Sequence, residues 1–197
     1  MSPFADIKYY GIIQDEPEKM LPIFENALNE SDILLSSGGA SKGKYDFTKD
    51  IASKLGLNIH ITSTNIRPGR PLIFATKEEK LFFGLPGYPS ALLTNALEFL
   101  VPALKKMAGF REYKHKIIKA VSKDSLKSKE GRVDFIRVNL EYGDDGVLYA
   151  KSSGSQQTSN FLSLAFSDAL VVADETKGSI KAGDLVDILP LGDIFGE

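Results

Sequence analysis

The chain has 197 residues, 43% of them hydrophobic and 25% charged, which fits a globular protein of one large or two small domains. Its 24 basic and 26 acidic residues leave a net charge of −2, so no whole-surface field draws nucleic acid or an anionic membrane, and any anion must be caught locally. With no cysteine and only His60 and His115 as histidines, disulfide scaffolds, thiolate zinc sites, iron–sulfur clusters, cysteine nucleophiles and multi-histidine metal centres are excluded.

The N-terminal residues lack the basic segment and apolar run of a signal peptide. Residues 81–104 are the most apolar stretch, but three prolines with Thr94, Asn95 and Glu98 interrupt it, too often for a bilayer span. The reading is of a soluble, cytoplasmic chain.

Residues 7–13 (IKYYGII) read as a strand ending at a turn. From 17 to 29, Met20, Leu21, Phe24 and Leu28 fall at helical spacing, with acids in the first turn. Residues 32–36 (DILLS) lack alternation, as in a strand buried on both faces. A glycine-rich loop follows, then a helix over 47–55 that stops at Gly56, then an alternating strand over 58–63. The order β-α-β-α-β predicts a parallel sheet with covering helices.

IRPGRP at 66–71 must be an extended loop, since its prolines and glycine exclude helix. Residues 72–76 and 80–83 form a hairpin across Lys77-Glu78-Glu79, and GLPGYP leads into a long helix over 90–107 that Pro102 kinks. Beyond a basic connector the texture changes to short alternating runs at 117–121, 133–140, 147–151, 170–173 and 185–189 with glycine turns, the pattern of a small barrel. The expectation is a doubly wound, mostly parallel α/β domain over 1–110 and a small β-barrel domain over 111–197.

Three loops of the first domain follow strands, which places them at the ligand-binding rim of such a sheet. In residues 36–46 (SSGGASKGKYD), the glycines permit close backbone approach, and the amides of the loop with Ser37 and Ser41 suit an oxyanion. Asp46 opens the next helix either as a ligand or simply as its N-cap. Arg67 and Arg70 stand between prolines, as a preorganised anion clamp or as solvated surface charges. Residues 84–89 (GLPGYP) offer free amides at a helix start, or merely connect strand to helix.

In their order, SSGGASKGKYDFTK, IRPGRP and GLPGYPSA…PALKKMAG resemble the C-terminal half of the molybdopterin molybdotransferases, a group that includes the E domain of gephyrin. The resemblance continues through GRVDFIRVNL, SGSQQTSNFLSLAFSDALVV and AGDLVDILPL, and so covers nearly all of the chain. It implies molybdenum cofactor biosynthesis: insertion of molybdate into the dithiolene of adenylylated molybdopterin with release of AMP, assisted by Mg²⁺ or a similar divalent ion. Because the substrate brings the sulfur ligands, a cysteine-free protein can handle molybdenum, and positioning and electrostatics dominate.

Carried over by position, the resemblance puts Asp46 at metal and pterin phosphate, and makes Asp46, Arg67, Arg70 and Arg137 the catalytic set. Ser37, Gly38, Gly39, Ser41, Pro71, Pro86, Gly87 and Thr158 become substrate-binding positions. Arg67 and Arg70 stand where the family usually has lysines, and Thr158 where serine is usual. Without the family, Arg137 reads as a strand surface residue and Thr158 as a turn hydroxyl. Tyr88 replaces the asparagine of the family's PGNP, the following serine is shifted to Ser90, and Ser63 stands where lysine is frequent.

The family's pterin-binding domain begins with an earlier strand carrying a Gly-Asp-Glu motif and a helix, so the first domain here is expected to be N-terminally incomplete and short of metal ligands. The family also implies a homodimer, and a molybdopterin adenylyltransferase as partner. Two rivals stay open: an adenylyltransferase, which shares the SSGG loop, and a non-catalytic pterin-binding or scaffold module.

Overall fold

The computed structural model describes residues 5–38 and 47–192. The chain divides into two units, Met1–Thr64 with Gly69–Leu100, and Asn65–Pro68 with Val101–Glu197.

The first unit opens with an irregular segment and helix α1 (Pro17–Glu30). Residues 7–13, expected as a strand, join no ladder. Apolar residues supply the propensity for a strand, but a strand also needs an edge to pair with, and the sheet takes none from this segment. Instead Tyr10 and Ile13 pack on the core, Lys8 and Tyr10 bond Glu30 of α1, and Ile12 is 96% exposed.

After α1 come β1 (Ile33–Ser37), α2 (Phe47–Lys54), β2 (Asn58–Ser63), β4 (Pro71–Lys77) and β5 (Lys80–Leu85), with the two-residue β3 (Ile66–Arg67) between β2 and β4. The sheet order is β1-β5-β4-β2. The α/β class is as expected, but the sheet is mixed, not mostly parallel. Only β1–β5 is parallel, while β4–β5 and β2–β4 are antiparallel. The short turn through Glu78, at φ 54°, forces β4 and β5 antiparallel, since a parallel return needs a crossover of a dozen or more residues. Both helices bury their apolar stripes on one face, where Phe24, Leu28 and Ile51 meet Leu34, Ile73 and Phe82.

The helix expected over 90–107 is three consecutive elements: α3 (Pro89–Asn95), a π-turn (Ala96–Leu100) and α4 (Val101–Met107). Pro102 has no N–H for the carbonyl of Glu98 and its ring crowds that group, so the backbone widens there.

The second unit holds β6 (Ile118–Ser122), β7 (Val133–Tyr142), β8 (Leu148–Ser152), the short helix α5 (Phe161–Ala165), β9 (Ala169–Ala173) and β10 (Leu185–Pro190). Strand order β7-β8-β6-β10-β9 closes through a further β7–β9 pairing, which makes a five-stranded barrel. Val138 sits in both ladders, opposite Ser152 and opposite Ala169. Ala120, Val138, Ala150, Ala169, Val171 and Ile188 fill the interior, small residues as a narrow barrel demands. Strand β3 adds to the outside of β7, pairing Ile66 with Val133 and Arg67 with Asp134. Residues 65–68, read from sequence as a loop of the first domain, therefore belong to the barrel unit.

Candidate functional site

In the first unit, β1 and β5 run parallel, so the loops leaving them emerge at the same edge. Ser36 pairs with Gly84 and Ser37 with Leu85, and the Gly38 amide prolongs the ladder by donating to the Leu85 carbonyl at 3.0 Å. Gly38 has φ +89°, and a Cβ on Gly87 would lie 3.5 Å from its Cα. The positive φ of Gly38 favours glycine there, while at Gly87 a Cβ would make only ordinary contact. Ser37, Gly38, Pro86 and Gly87 are thereby gathered at one edge, as a phosphate cradle requires. Beside them lie two buried hydroxyls, Ser36 Oγ and Thr48 Oγ1, without hydrogen-bond partners among the described residues. Gly39, Ser41 and Asp46, expected at this edge, lie outside the described residues.

Arg70 and Pro71 follow in the same unit, and the Arg70 side chain is exposed. Its backbone is held from two directions. Thr64 donates its amide to the Arg70 carbonyl at 2.8 Å and its hydroxyl to the Gly69 carbonyl at 3.0 Å. Asn95, fully buried, donates Nδ2 to the carbonyls of Gly69 and Pro71 at 3.0 and 3.1 Å. Because both partners are acceptors, the orientation of that carboxamide is fixed, and its Oδ1 remains unpaired. The sequence signal for Asn95 was an amide inside an apolar helical stripe. Taken only as an interruption of apolar sequence, it was missed as a clamp.

In the second unit, Arg137 lies on β7 between Ile136 and Val138. Those two point into the barrel, so Arg137 points away from the interior, yet it is only 3% exposed. The loop of residues 153–160 covers it. Nη2 donates to the carbonyls of Ser155 and Gln157 at 2.9 and 3.0 Å, while Nε and Nη1 have no partner among the described residues. Burial shifts the guanidinium below its ordinary pKa, the direction expected of a desolvated cation. A buried cation with open donors is costly unless something anionic completes it. The surface reading of Arg137 is thus corrected. Thr158 is half-buried on the same loop, directly after the carbonyl of Gln157. Arg67 is exposed and its partner Asp134 is three residues from Arg137 along the same strand.

Gln156, missed from sequence, is part of this site. Its Oε1 accepts from the Arg137 amide at 2.9 Å and its Nε2 donates to the Arg137 carbonyl at 3.0 Å. The signal was present in SGSQQTS, where only the hydroxyl had been weighed. Among the described residues no three histidine or carboxylate side chains gather to hold a metal ion. Nor is any described helix long and apolar enough to cross a membrane.

Comparison with known proteins places these features in context. Residues 4–106 match the family described as "Probable molybdopterin binding domain", and residues 119–191 match "MoeA C-terminal region (domain IV)". The chain is 34% identical over 186 residues to a molybdopterin molybdenumtransferase of Nostoc sp., covering 92% of this chain and 43% of the relative. It is 30% identical to gephyrin of Dictyostelium discoideum, covering 96% of this chain and 29% of that protein. The crystal structure of a molybdopterin biosynthesis MoeA protein from Pyrococcus horikoshii superposes with a TM-score of 0.74 at 31% identity, over 91% of this chain and 42% of that one. The chain thus spans less than half the length of these relatives.

Proposed function

The chain belongs to the molybdopterin-binding domain family, and from that premise we propose that it is the pterin- and molybdate-handling part of a molybdopterin molybdotransferase. The reaction is insertion of molybdate into adenylylated molybdopterin with release of AMP. The observation that carries this reading is Arg137: a buried guanidinium, with no carboxylate among its partners, whose Nε and Nη1 donors are open.

In this reading the edge formed by Ser37, Gly38, Pro86 and Gly87 takes the pterin phosphate. Glycine there lets the anion reach backbone amides, which hold it without any cationic side chain. The family resemblance makes Gly39 and Ser41 further substrate-binding positions. In the barrel unit, Arg137 and Thr158 hold the tetrahedral oxyanion and Arg67 adds positive charge; in the first unit, Arg70 is a separate anion-contacting residue, with Pro71 fixing the backbone after it. Fixed donors of this kind need no reorganisation during the reaction, which is where such a site gains its rate. Mg²⁺ would find one ligand from this chain in Asp46, and no step is derived through it. A homodimer and a partner adenylyltransferase, which makes the substrate, accompany this reading, in the cytoplasm where both substrates dissolve.

Calorimetry with molybdate tests the oxyanion site. Binding by the wild-type chain, abolished in Arg137→Ala and weakened in an Arg67→Ala/Arg70→Ala pair, is the expected result. Equal affinity in all three would refute it. Release of AMP from adenylylated molybdopterin on adding molybdate then tests the activity. AMP formed from ATP and molybdopterin would instead identify an adenylyltransferase.

A further inference from the structure

Residues 155, 156 and 157 all act on Arg137, but in two different ways. Strand β8 ends at Ser152, opposite Val138, so its ladder stops one residue short of Arg137. Ser153 still donates its amide to the Arg137 carbonyl at 3.1 Å, but the amide of Arg137 has no strand to meet. The Gln156 carboxamide takes that place, accepting from the amide and donating to the carbonyl. A side chain thus performs the pairing that one more peptide of β8 would have made.

That pairing has a consequence for the guanidinium. With Gln156 anchored to β7, the carbonyls on either side of it reach Nη2 of Arg137 and occupy both of its hydrogens. Ser163 secures the far side of the loop by donating Oγ to Ser155 O at 2.8 Å, and Asn160 caps α5 by accepting from the Ser163 amide at 3.1 Å. Both bidentate edges of a guanidinium include Nη2, so an anion arriving here meets Nε–H and Nη1–H as separate single donors.

We propose that Gln156 is a positioning residue for Arg137: its carboxamide fixes the loop that locks the guanidinium with Nε and Nη1 directed at the bound oxyanion. The proposal rests on the reading of Arg137 as an anion ligand. Gln156→Met keeps the side-chain volume and removes both hydrogen bonds, so loss of packing does not confuse the result.

Two measurements on the full chain separate the outcomes. In the ¹⁵N-labelled protein, rotation about the Cζ–Nη2 bond of Arg137 is slow in the wild type and measurably faster in Gln156→Met. This holds whether or not an anion binds. In molybdate titrations, Gln156→Met weakens binding about tenfold, and Arg137→Ala abolishes it. Unchanged rotation in Gln156→Met overturns the positioning role, as does unchanged molybdate affinity where Arg137→Ala has lost it. Equal molybdate affinity in the wild type and Arg137→Ala overturns the anion reading instead, and the rotation rate still decides whether Gln156 holds the guanidinium.

Discussion

Asn95 fixes the backbone on both sides of Arg70. Its buried carboxamide donates to the carbonyls of Gly69 and Pro71, one on each side of the arginine. An exposed arginine ordinarily loses much of its charge's value to side-chain and backbone freedom. Here the backbone is already fixed by Asn95 and Thr64, so less freedom remains to be lost when an anion binds.

Asn95→Ala removes a donor from the carbonyls of Gly69 and Pro71, although Gly69 O keeps the Thr64 hydroxyl. Loss of such a donor from a buried acceptor costs about 1–3 kcal/mol, and a urea titration should show a loss in that range. Amide exchange at Thr64, whose N–H bonds the Arg70 carbonyl, should accelerate beyond what the global loss of stability accounts for. Unaltered relative protection at Thr64 would show that the loop holds itself.

Arg137→Met exchanges a buried, uncompensated cation for a hydrocarbon. Without anion the variant should melt no lower than the wild type, because a desolvated charge with two unpaired donors contributes little or negatively to stability. Added molybdate at about 100 times its dissociation constant should stabilise the wild type by about 2.7 kcal/mol and leave the variant unmoved. A variant that collapses in the absence of anion would assign the guanidinium a structural role.

Gly84, within β5, and Gly87, in the loop after it, should respond differently to alanine. At Gly84 a Cβ would come within 2.9 Å of Thr48 Cγ2 and 3.2 Å of Ile73 Cβ, and overpacking of that kind costs about 1–3 kcal/mol. At Gly87 the nearest atom, Gly38 Cα, stands at an ordinary 3.5 Å, so Gly87→Ala should stay within about 0.5 kcal/mol of wild type. Denaturant midpoints of the two variants, measured side by side by circular dichroism, check the contrast.

Glu98, in the π-turn, has its carboxyl raised above the ordinary range by burial. Between the unfolded and folded pKa the native state keeps a proton that the unfolded chain has released, so this group makes stability fall as pH rises through that window. Glu98→Gln should therefore be more stable than wild type near neutral pH, with the advantage vanishing as pH drops below about 4. An advantage that is constant across that range would mean the gain is not electrostatic.

The hairpin β4–β5 was legible because its turn and its two apolar runs are neighbours in sequence. So were α1, α2 and the short barrel strands, whose periodicity records which face is buried. Residues 7–13 were not, since their composition says strand whereas pairing depends on an edge that composition cannot reveal. The mixed character of the sheet was visible in the chain lengths: the hairpin implied one antiparallel pair, and the link over 64–70, too short for a parallel crossover, implied the second, between β2 and β4.

By itself, the sequence determined which chemistry was open to this protein. With no cysteine and a near-balanced charge, any anion must be held by backbone amides, hydroxyls and a few arginines, and the order of the three loops points to a family. Tertiary structure decided which arginine is desolvated. Arg67, Arg70 and Arg137 are chemically alike along the chain, but only Arg137 is buried with donors to spare. Burial arises from what folds over a side chain. Here that cover is a loop some twenty residues away, whose Gln156 stands in for a strand that ends one residue too soon.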